Sequence, residues 1–223
     1  MRTNPPEIMT VEEVAAYLRV SEKTVYGWAK NGEIPCGKLG AAWRFLRQDV
    51  EDWVSARLGP ATGMGQKNTV RVEEALSPER IRIWDGAVKS EALTDLVDTL
   101  ATAPEVRDRD ALLSSIQHRE SLLSTGLGLG VAVPHARLTG VNDVVMAVGV
   151  SRKDISGYET LDNRPVRIVF MVAAGAKQHA EYLSLMSTLS SMIKDEEFRD
   201  SLLRLPSPPE IYRMMTNWPA RAA

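Results

Sequence analysis

The chain has 223 residues, of which 44% are hydrophobic and 25% charged, a balance that excludes wholesale disorder. No run reaches the roughly 18 apolar residues that cross a bilayer, so no membrane insertion is expected, and the start Met1-Arg-Thr-Asn-Pro-Pro6 lacks an apolar leader, which points to a cytoplasmic protein. A single cysteine, Cys36, forbids an internal disulfide, and His118, His135 and His179 are too scattered to write a zinc-finger ligand set. The net charge of −2 means that nucleic-acid binding has to be read from where the charges sit.

The first element is a helix announced by Met9-Thr10-Val-Glu-Glu13-Val14. Thr10 and Glu13 form a capping box, and Met9 and Val14 sit where a hydrophobic staple pairs. Val11, Val14, Ala15 and Leu18 continue at helical spacing. Ser21 repeats the N-cap device with Val20 and Val25, and this second, short helix stops at Asn31-Gly32. Two short helices joined by a tight turn make a helix-turn-helix. In the second helix Val25, Trp28 and Ala29 face inward, which leaves Lys23, Tyr26, Gly27 and Lys30 on the solvent side. Trp43-Arg44-Phe45 after a glycine turn predicts a hairpin, and a third helix is expected from near Asp49 with Val50, Trp53 and Val54 inward.

Between Arg19 and Arg47 six basic residues (Arg19, Lys23, Lys30, Lys38, Arg44, Arg47) face two acidic ones, although residues 1–58 carry eight of each sign. The bases therefore gather on the second helix and hairpin, as a phosphate-contacting face requires. The competing reading is a trihelical interaction module with a solvated basic surface.

Residues Thr10 to Trp28, then Gly32-Glu-Ile-Pro35, Trp43-Arg-Phe45 and Asp49-Val-Glu-Asp-Trp53 resemble the excisionase-type, MerR-like winged helix-turn-helix over about residues 8–56. The resemblance implies binding of double-stranded DNA, with Lys23, Thr24, Tyr26, Gly27 and Lys30 in the major groove and Lys38 and Arg44 on the wing. One recognition helix per chain is compatible with a homodimer on a palindromic site.

From Gly59 to Asn68 the chain is rich in Gly and small polar residues. This predicts a flexible linker over 59–73, dividing a unit at 1–58 from one at 74–223. In the second unit Leu93, Leu96, Val97 and Leu100 mark one helix, and Ala111, Leu112 and Ile116 another. Strands are expected at 131–133, 144–148 and 166–173, the last two central because they are almost wholly apolar. A long amphipathic helix carries Tyr182, Leu183, Met186, Leu189 and Ile193, and Ser207-Pro208 opens a final helix. The chain as a whole is thus an α+β two-domain protein: a small winged helix-turn-helix followed by an α/β sandwich with a mixed central sheet flanked by helices.

The chemistry concentrates in Arg119-Glu-Ser-Leu-Leu-Ser-Thr125-Gly-Leu-Gly-Leu-Gly130-Val-Ala-Val-Pro-His135-Ala-Arg137. The glycines are read as a freely turning loop before a buried strand, and their G-x-G-x-G spacing is not a dinucleotide fingerprint. Pro134 ends that strand and presents His135 at its tip. Arg137 is read as a surface charge ranked behind Arg119, and His118 as structural or exposed.

This string, S-T-G-x-G-x-G-x-A-x-P-H-x-R led by Arg-Glu, resembles the phosphorylation-site signature of enzyme IIA domains of the bacterial phosphotransferase system, of the mannitol/fructose/nitrogen-regulatory type, over roughly residues 74–216. Ala136 stands where the common motif has glycine. The resemblance implies that His135 accepts a phosphoryl group from an HPr-like phosphocarrier, that His179 is a second active-site imidazole, and that Arg119 steadies the phosphate. It implies no cofactor beyond the phosphohistidine at His135, and no metal. The alternatives are an ordinary polar helix start for His179 and an ion pair with a neighbouring acid for Arg119. Neutral imidazole is a competent nucleophile, and phosphoryl transfer needs mainly in-line positioning and charge neutralisation. The combined expectation is a phosphotransferase-linked transcriptional regulator, a phosphoryl-group carrier rather than a stand-alone turnover enzyme. The alternatives are a phosphocarrier that serves a sugar permease component, and a docking regulator indifferent to phosphate.

Overall fold

A computed structural model describes residues 7–58, 70–160 and 162–218, and these fall into two compact units, Met1–Gly65 and Gln66–Ala223. In the first unit β1 (Ile8–Met9) leads through Thr10 into α1 (Val11–Leu18). The capping box is present: Glu13 N–H donates to the Thr10 hydroxyl, and Thr10 N–H donates to the Glu13 carboxylate. A left-handed Arg19 closes α1, and Ser21 caps α2 (Glu22–Asn31), which stops at a left-handed Gly32. The hairpin follows as β2 (Gly37–Leu39) and β3 (Ala42–Leu46), and β1 adds itself to the far side of β3. Helix α3 (Arg47–Leu58) starts two residues before the predicted Asp49. Met9, Val14, Val25, Ile34, Phe45 and Val50 form the small core, and Trp28 packs on Trp53 with ring centroids 5.1 Å apart.

Of the predicted linker at 59–73, residues 59–69 lie outside the described residues. Its last part is not linker: Val72 is buried and opens α4 (Val72–Ala75), followed by a short 3-10 turn at Pro78–Arg80. Two short strands then appear that no periodicity announced, β4 (Ile81–Trp84) and β5 (Ala87–Val88). Helices α5 (Lys89–Leu100) and α6 (Arg109–Leu122) follow as expected.

The glycine-rich stretch departs from the sequence reading. Gly126–Gly128 is itself a strand, β6, and the chain turns through Gly128, Leu129 and Gly130, all at positive φ, into β7 (Val131–Ala132). At Pro134 the strand does not end but is interrupted, and it resumes as β8 (His135–Leu138). Proline removes one N–H, yet its carbonyl still accepts from Val172 N–H at 3.0 Å, so pairing continues past it. His135 is therefore the first residue of a strand rather than the tip of a finished one.

The long strands β9 (Val145–Ser156) and β10 (Val166–Gly175) form the centre of a mixed seven-stranded sheet in the order β4-β9-β10-β7-β6, with β5 also on β9 and β8 also on β10. β9 and β10 are antiparallel, whereas β4 runs parallel to β9 and both β7 and β8 run parallel to β10. The chain ends its described part in α7 (His179–Lys194), α8 (Glu196–Arg204), which was not anticipated, and α9 (Pro208–Thr216). Alternation along β10 splits the core in two: Ile168, Phe170 and Val172 pack towards α7, α8 and α9, while Val169, Met171 and Ala173 pack towards α5 and α6. The result is a three-layer α/β/α sandwich.

Candidate functional site

His135 lies on the α7 side of the sheet. It pairs with Val172 of β10, and its neighbour Ala136 points to the opposite core with α5 and α6. Its ring is half-buried and stands 6.0 Å, centroid to centroid, from the buried ring of Tyr182 at a tilt of 44°. Nδ1 lies 2.9 Å from the carbonyl oxygen of Val133. A carbonyl only accepts, so Nδ1 carries the proton and, in the neutral ring, Nε2 carries the lone pair. The backbone itself therefore selects the nitrogen that keeps the lone pair.

His179 is the first residue of α7, three positions before Tyr182 and so on the same helix face that meets His135. Gln178 at the N-cap gives no side-chain cap, and the first turn of a 16-residue helix favours an anion. The turn into α7 depends on Gly175: a Cβ there would lie 2.0 Å from the Gln178 Oε1 and 2.5 Å from the Val141 carbonyl oxygen.

Arg137 stands two residues along β8 and so shares the His135 face. It is half-buried and its Nη2 donates to the Ala176 carbonyl at 3.0 Å, which ties β8 to the loop that delivers His179. The sequence reading of Arg137 as a surface charge is thus corrected. Arg119 comes from the other helix layer, at the end of α6 where that helix packs beside β8, and its Nη1 donates to the Leu123 carbonyl at 3.1 Å. His118, next to it, is exposed. The spacing that assigned Tyr182 to the core is also the spacing that places it beside His179, so its contact with His135 was available as an i, i+3 signal. The Val133 carbonyl was not, since no side chain marks it.

In the first unit Lys23, Tyr26, Gly27 and Lys30 are exposed on the face of α2 opposite buried Val25 and Ala29, and a Cβ at Gly27 would meet nothing within 4 Å. Thr24 is partly withdrawn: its hydroxyl lies 2.8 Å from the Ser21 hydroxyl. On the hairpin, Lys38 is exposed with Nζ 4.9 Å from the Trp43 ring centre, and the Arg44 Nη1 donates to the Trp43 carbonyl at 2.8 Å. Burial pushes the Cys36 thiol up to about 12, so it is no reactive thiolate at neutral pH. Among the described residues no group of three His, Cys, Asp or Glu side chains could hold a metal ion, and no helix is long and apolar enough to cross a membrane.

Residues 74–218 match the family described as phosphoenolpyruvate-dependent sugar phosphotransferase system, EIIA 2. The chain belongs to this family. Its EIIA unit follows a first unit that matches the helix-turn-helix domain family over residues 8–58. The chain is 35% identical over 139 residues to the PTS system fructose-specific EIIABC component of Bacillus subtilis, a match that covers 62% of this chain and 22% of that protein. It is 27% identical over 149 residues to the nitrogen regulatory protein of Pseudomonas aeruginosa, covering 66% of this chain and 96% of that one. The crystal structure of nitrogen regulatory protein IIA-Ntr from Neisseria meningitidis superposes on the EIIA unit with a TM-score of 0.60 and 26% identity, covering 65% of this chain and 99% of that one.

Proposed function

We propose that the chain is a phosphotransferase-linked transcriptional regulator: it binds double-stranded DNA through its first unit and takes a phosphoryl group on Nε2 of His135 from an HPr-like phosphohistidine carrier. The observation that carries this reading is the Nδ1–H bond to Val133, which leaves Nε2 with the lone pair on a ring beside the first turn of α7.

In the transfer, the N–P bond on the donor histidine breaks while a new N–P bond forms to Nε2 of His135. The electron pair of the broken bond stays on the donor ring, which leaves as neutral imidazole because its other nitrogen carries a proton, and His135, still protonated on Nδ1, becomes the phosphoimidazolium. Positive charge that builds on the attacking ring is supported through Nδ1–H by the Val133 carbonyl dipole. The phosphoryl oxygens are met by the N–H groups of the first turn of α7, by His179, and by the guanidinium groups of Arg119 and Arg137, which neutralise charge without covalent chemistry. Phosphorylation adds about −1.5 to −2 charge at neutral pH. That charge opposes binding of the basic α2 and hairpin surface to DNA phosphates, or alters contacts between subunits; either way it makes DNA affinity depend on the phosphorylation state.

The test is incubation of the full chain with phosphoenolpyruvate and the general phosphotransferase carriers, followed by phosphate-affinity electrophoresis and DNA retention. The expected result is an acid-labile phosphoryl group that is absent in His135→Ala, and a DNA affinity that differs between the two states. Labelling of the parent with equal DNA affinity in both states would defeat the regulatory half. Efficient onward transfer to a IIB acceptor, with no DNA retention, would make the chain a phosphocarrier serving a permease.

A further inference from the structure

The mechanism so far makes no use of a buried carboxylate. Glu120, on the last turn of α6, has a side chain only 3% exposed, and a buried carboxylate is costly unless donors surround it. Lys89 Nζ, at the start of α5, approaches one oxygen at 3.3 Å. The other donors all come from one residue: Thr125 gives its backbone N–H at 3.2 and 3.1 Å to the two oxygens and its hydroxyl at 2.6 Å. The last distance is that of a charge-assisted O–H···O⁻ bond. The ammonium of Lys89 also stands 5.3 Å from the Tyr158 ring centre.

Thr125 is thereby held by main chain and side chain at once, and its own carbonyl accepts Val133 N–H at 3.0 Å. The carbonyl of that same Val133 receives His135 Nδ1–H. A continuous path of short bonds thus runs from the carboxylate to the reacting ring: Glu120 to Thr125, Thr125 to Val133, Val133 to His135. The Val133 carbonyl belongs to the peptide whose nitrogen is that of Pro134, which has no N–H to bond to a neighbouring strand, so the orientation of this carbonyl depends more on how Val133 itself is held than it would within an unbroken ladder. A Lys–Glu pair serving stability alone needs no threonine, and burying such a pair brings little net stability in general.

We propose that Glu120, acting through Thr125, is a positioning residue that fixes the Val133 carbonyl and with it the tautomer and orientation of His135. This rests on the reading of His135 as phosphoryl acceptor. Glu120 touches no reacting atom; it decides which imidazole nitrogen is presented.

The experiment uses the full chain labelled with 15N-histidine and two readouts. The first is the pair of ring 15N shifts of neutral His135, which report the tautomer. The second is the rate of phosphorylation by potassium phosphoramidate, a donor that needs no partner protein: its P–N bond breaks, ammonia leaves, and the N–P bond to Nε2 forms. Thr125→Val and Glu120→Gln are expected to mix the two tautomers and to slow phosphorylation roughly ten- to a hundredfold, the range that misplacement of a reacting group by about an ångström produces. Thr125→Ser, which keeps the hydroxyl, is expected to restore both readouts. Should Thr125→Val fail to fold, Glu120→Gln decides the matter, since it preserves the side-chain volume. Parental tautomer and parental rate in a folded Glu120→Gln overturn the proposal, as does a changed tautomer with an unchanged rate. If the parent itself takes no phosphoryl group while the tautomer still shifts in the variants, the positioning of the ring stands and the acceptor reading is what fails.

Discussion

On the proposed function, the exposed face of α2 in the first unit and the histidine site of the EIIA unit solve opposite problems. Lys23, Tyr26 and Lys30 project from one face of a ten-residue helix into solvent, and only the burial of Val25 and Ala29 on the other face aims them. His135 is half-buried and is held by a backbone carbonyl, a tyrosine ring and strand pairing to β10. A partner as long and repetitive as duplex DNA tolerates mobile cations, because phosphate contacts are numerous and individually weak. Phosphoryl transfer between two rings is intolerant of misplacement, so the protein invests a polar scaffold in one side chain. On that reading the surface is expected to bind less when one residue is lost, and the site to fail when one atom is lost.

The sharpest way to break that contrast is His135→Ala. Phosphoryl acceptance is expected to disappear while the thermal transition and the unphosphorylated DNA affinity stay at parental values, as read by phosphate-affinity electrophoresis and filter binding. Retained labelling would move the acceptor elsewhere. Next in size is Phe45→Ala, which empties the centre of the small first core. It should cost about 3–5 kcal/mol, a large share of the stability available to so short a unit. Fluorescence of the packed Trp28–Trp53 pair should report the loss, and DNA binding should vanish while His135 still accepts phosphate. Coincident loss of both activities would show that the units do not fold independently.

A smaller effect separates the surface from the site. Lys23→Ala with Lys30→Ala should weaken DNA binding at every sequence and reduce the slope of log affinity against log salt by roughly 1 per lost contact. Measured by anisotropy over a salt series, an unchanged slope would place the binding face elsewhere. The smallest effect is local to the turn before β7. Burial pushes the Asp162 carboxyl up, but the N–H groups of Leu129 and Arg164 and the Arg164 charge outweigh it and hold the group below its ordinary value. A lowered folded value means that this support is complete above the unfolded aspartate range and is lost as pH falls through the folded value. The protection of the Leu129 amide, measured as its exchange rate relative to the intrinsic rate at each pH, should therefore fall on acidification below that range and be low at all pH in Asp162→Ala, with His135 chemistry at neutral pH little altered.

What could be read in the sequence follows the range of the interactions. The capping box of Thr10 and Glu13, the Ser21 cap and the exposed side of α2 are set by residues three or four apart, so composition and spacing reveal them. His135 was visible because proline and a glycine run surround it, and the family likeness gave that pattern a chemical meaning. The anchoring of Arg137 was hidden, since its partner Ala176 lies 39 positions away and is reached only through the pairing of β8 with β10. The Val133 carbonyl was hidden for a different reason: every residue has one, and only the fold says which of them points at a ring. The strands β4 and β5 escaped because four and two residues are too few to show a period.

The central claim is that the backbone hands the phosphoryl group to one particular nitrogen. It is tested most directly by 15N–31P correlation on the full chain labelled with 15N-histidine, after phosphorylation by its carrier. The account predicts a single N–P coupling, to Nε2 of His135, with Nδ1 still protonated against Val133. A coupling to Nδ1 of that ring, or to His179 or His118, would contradict it.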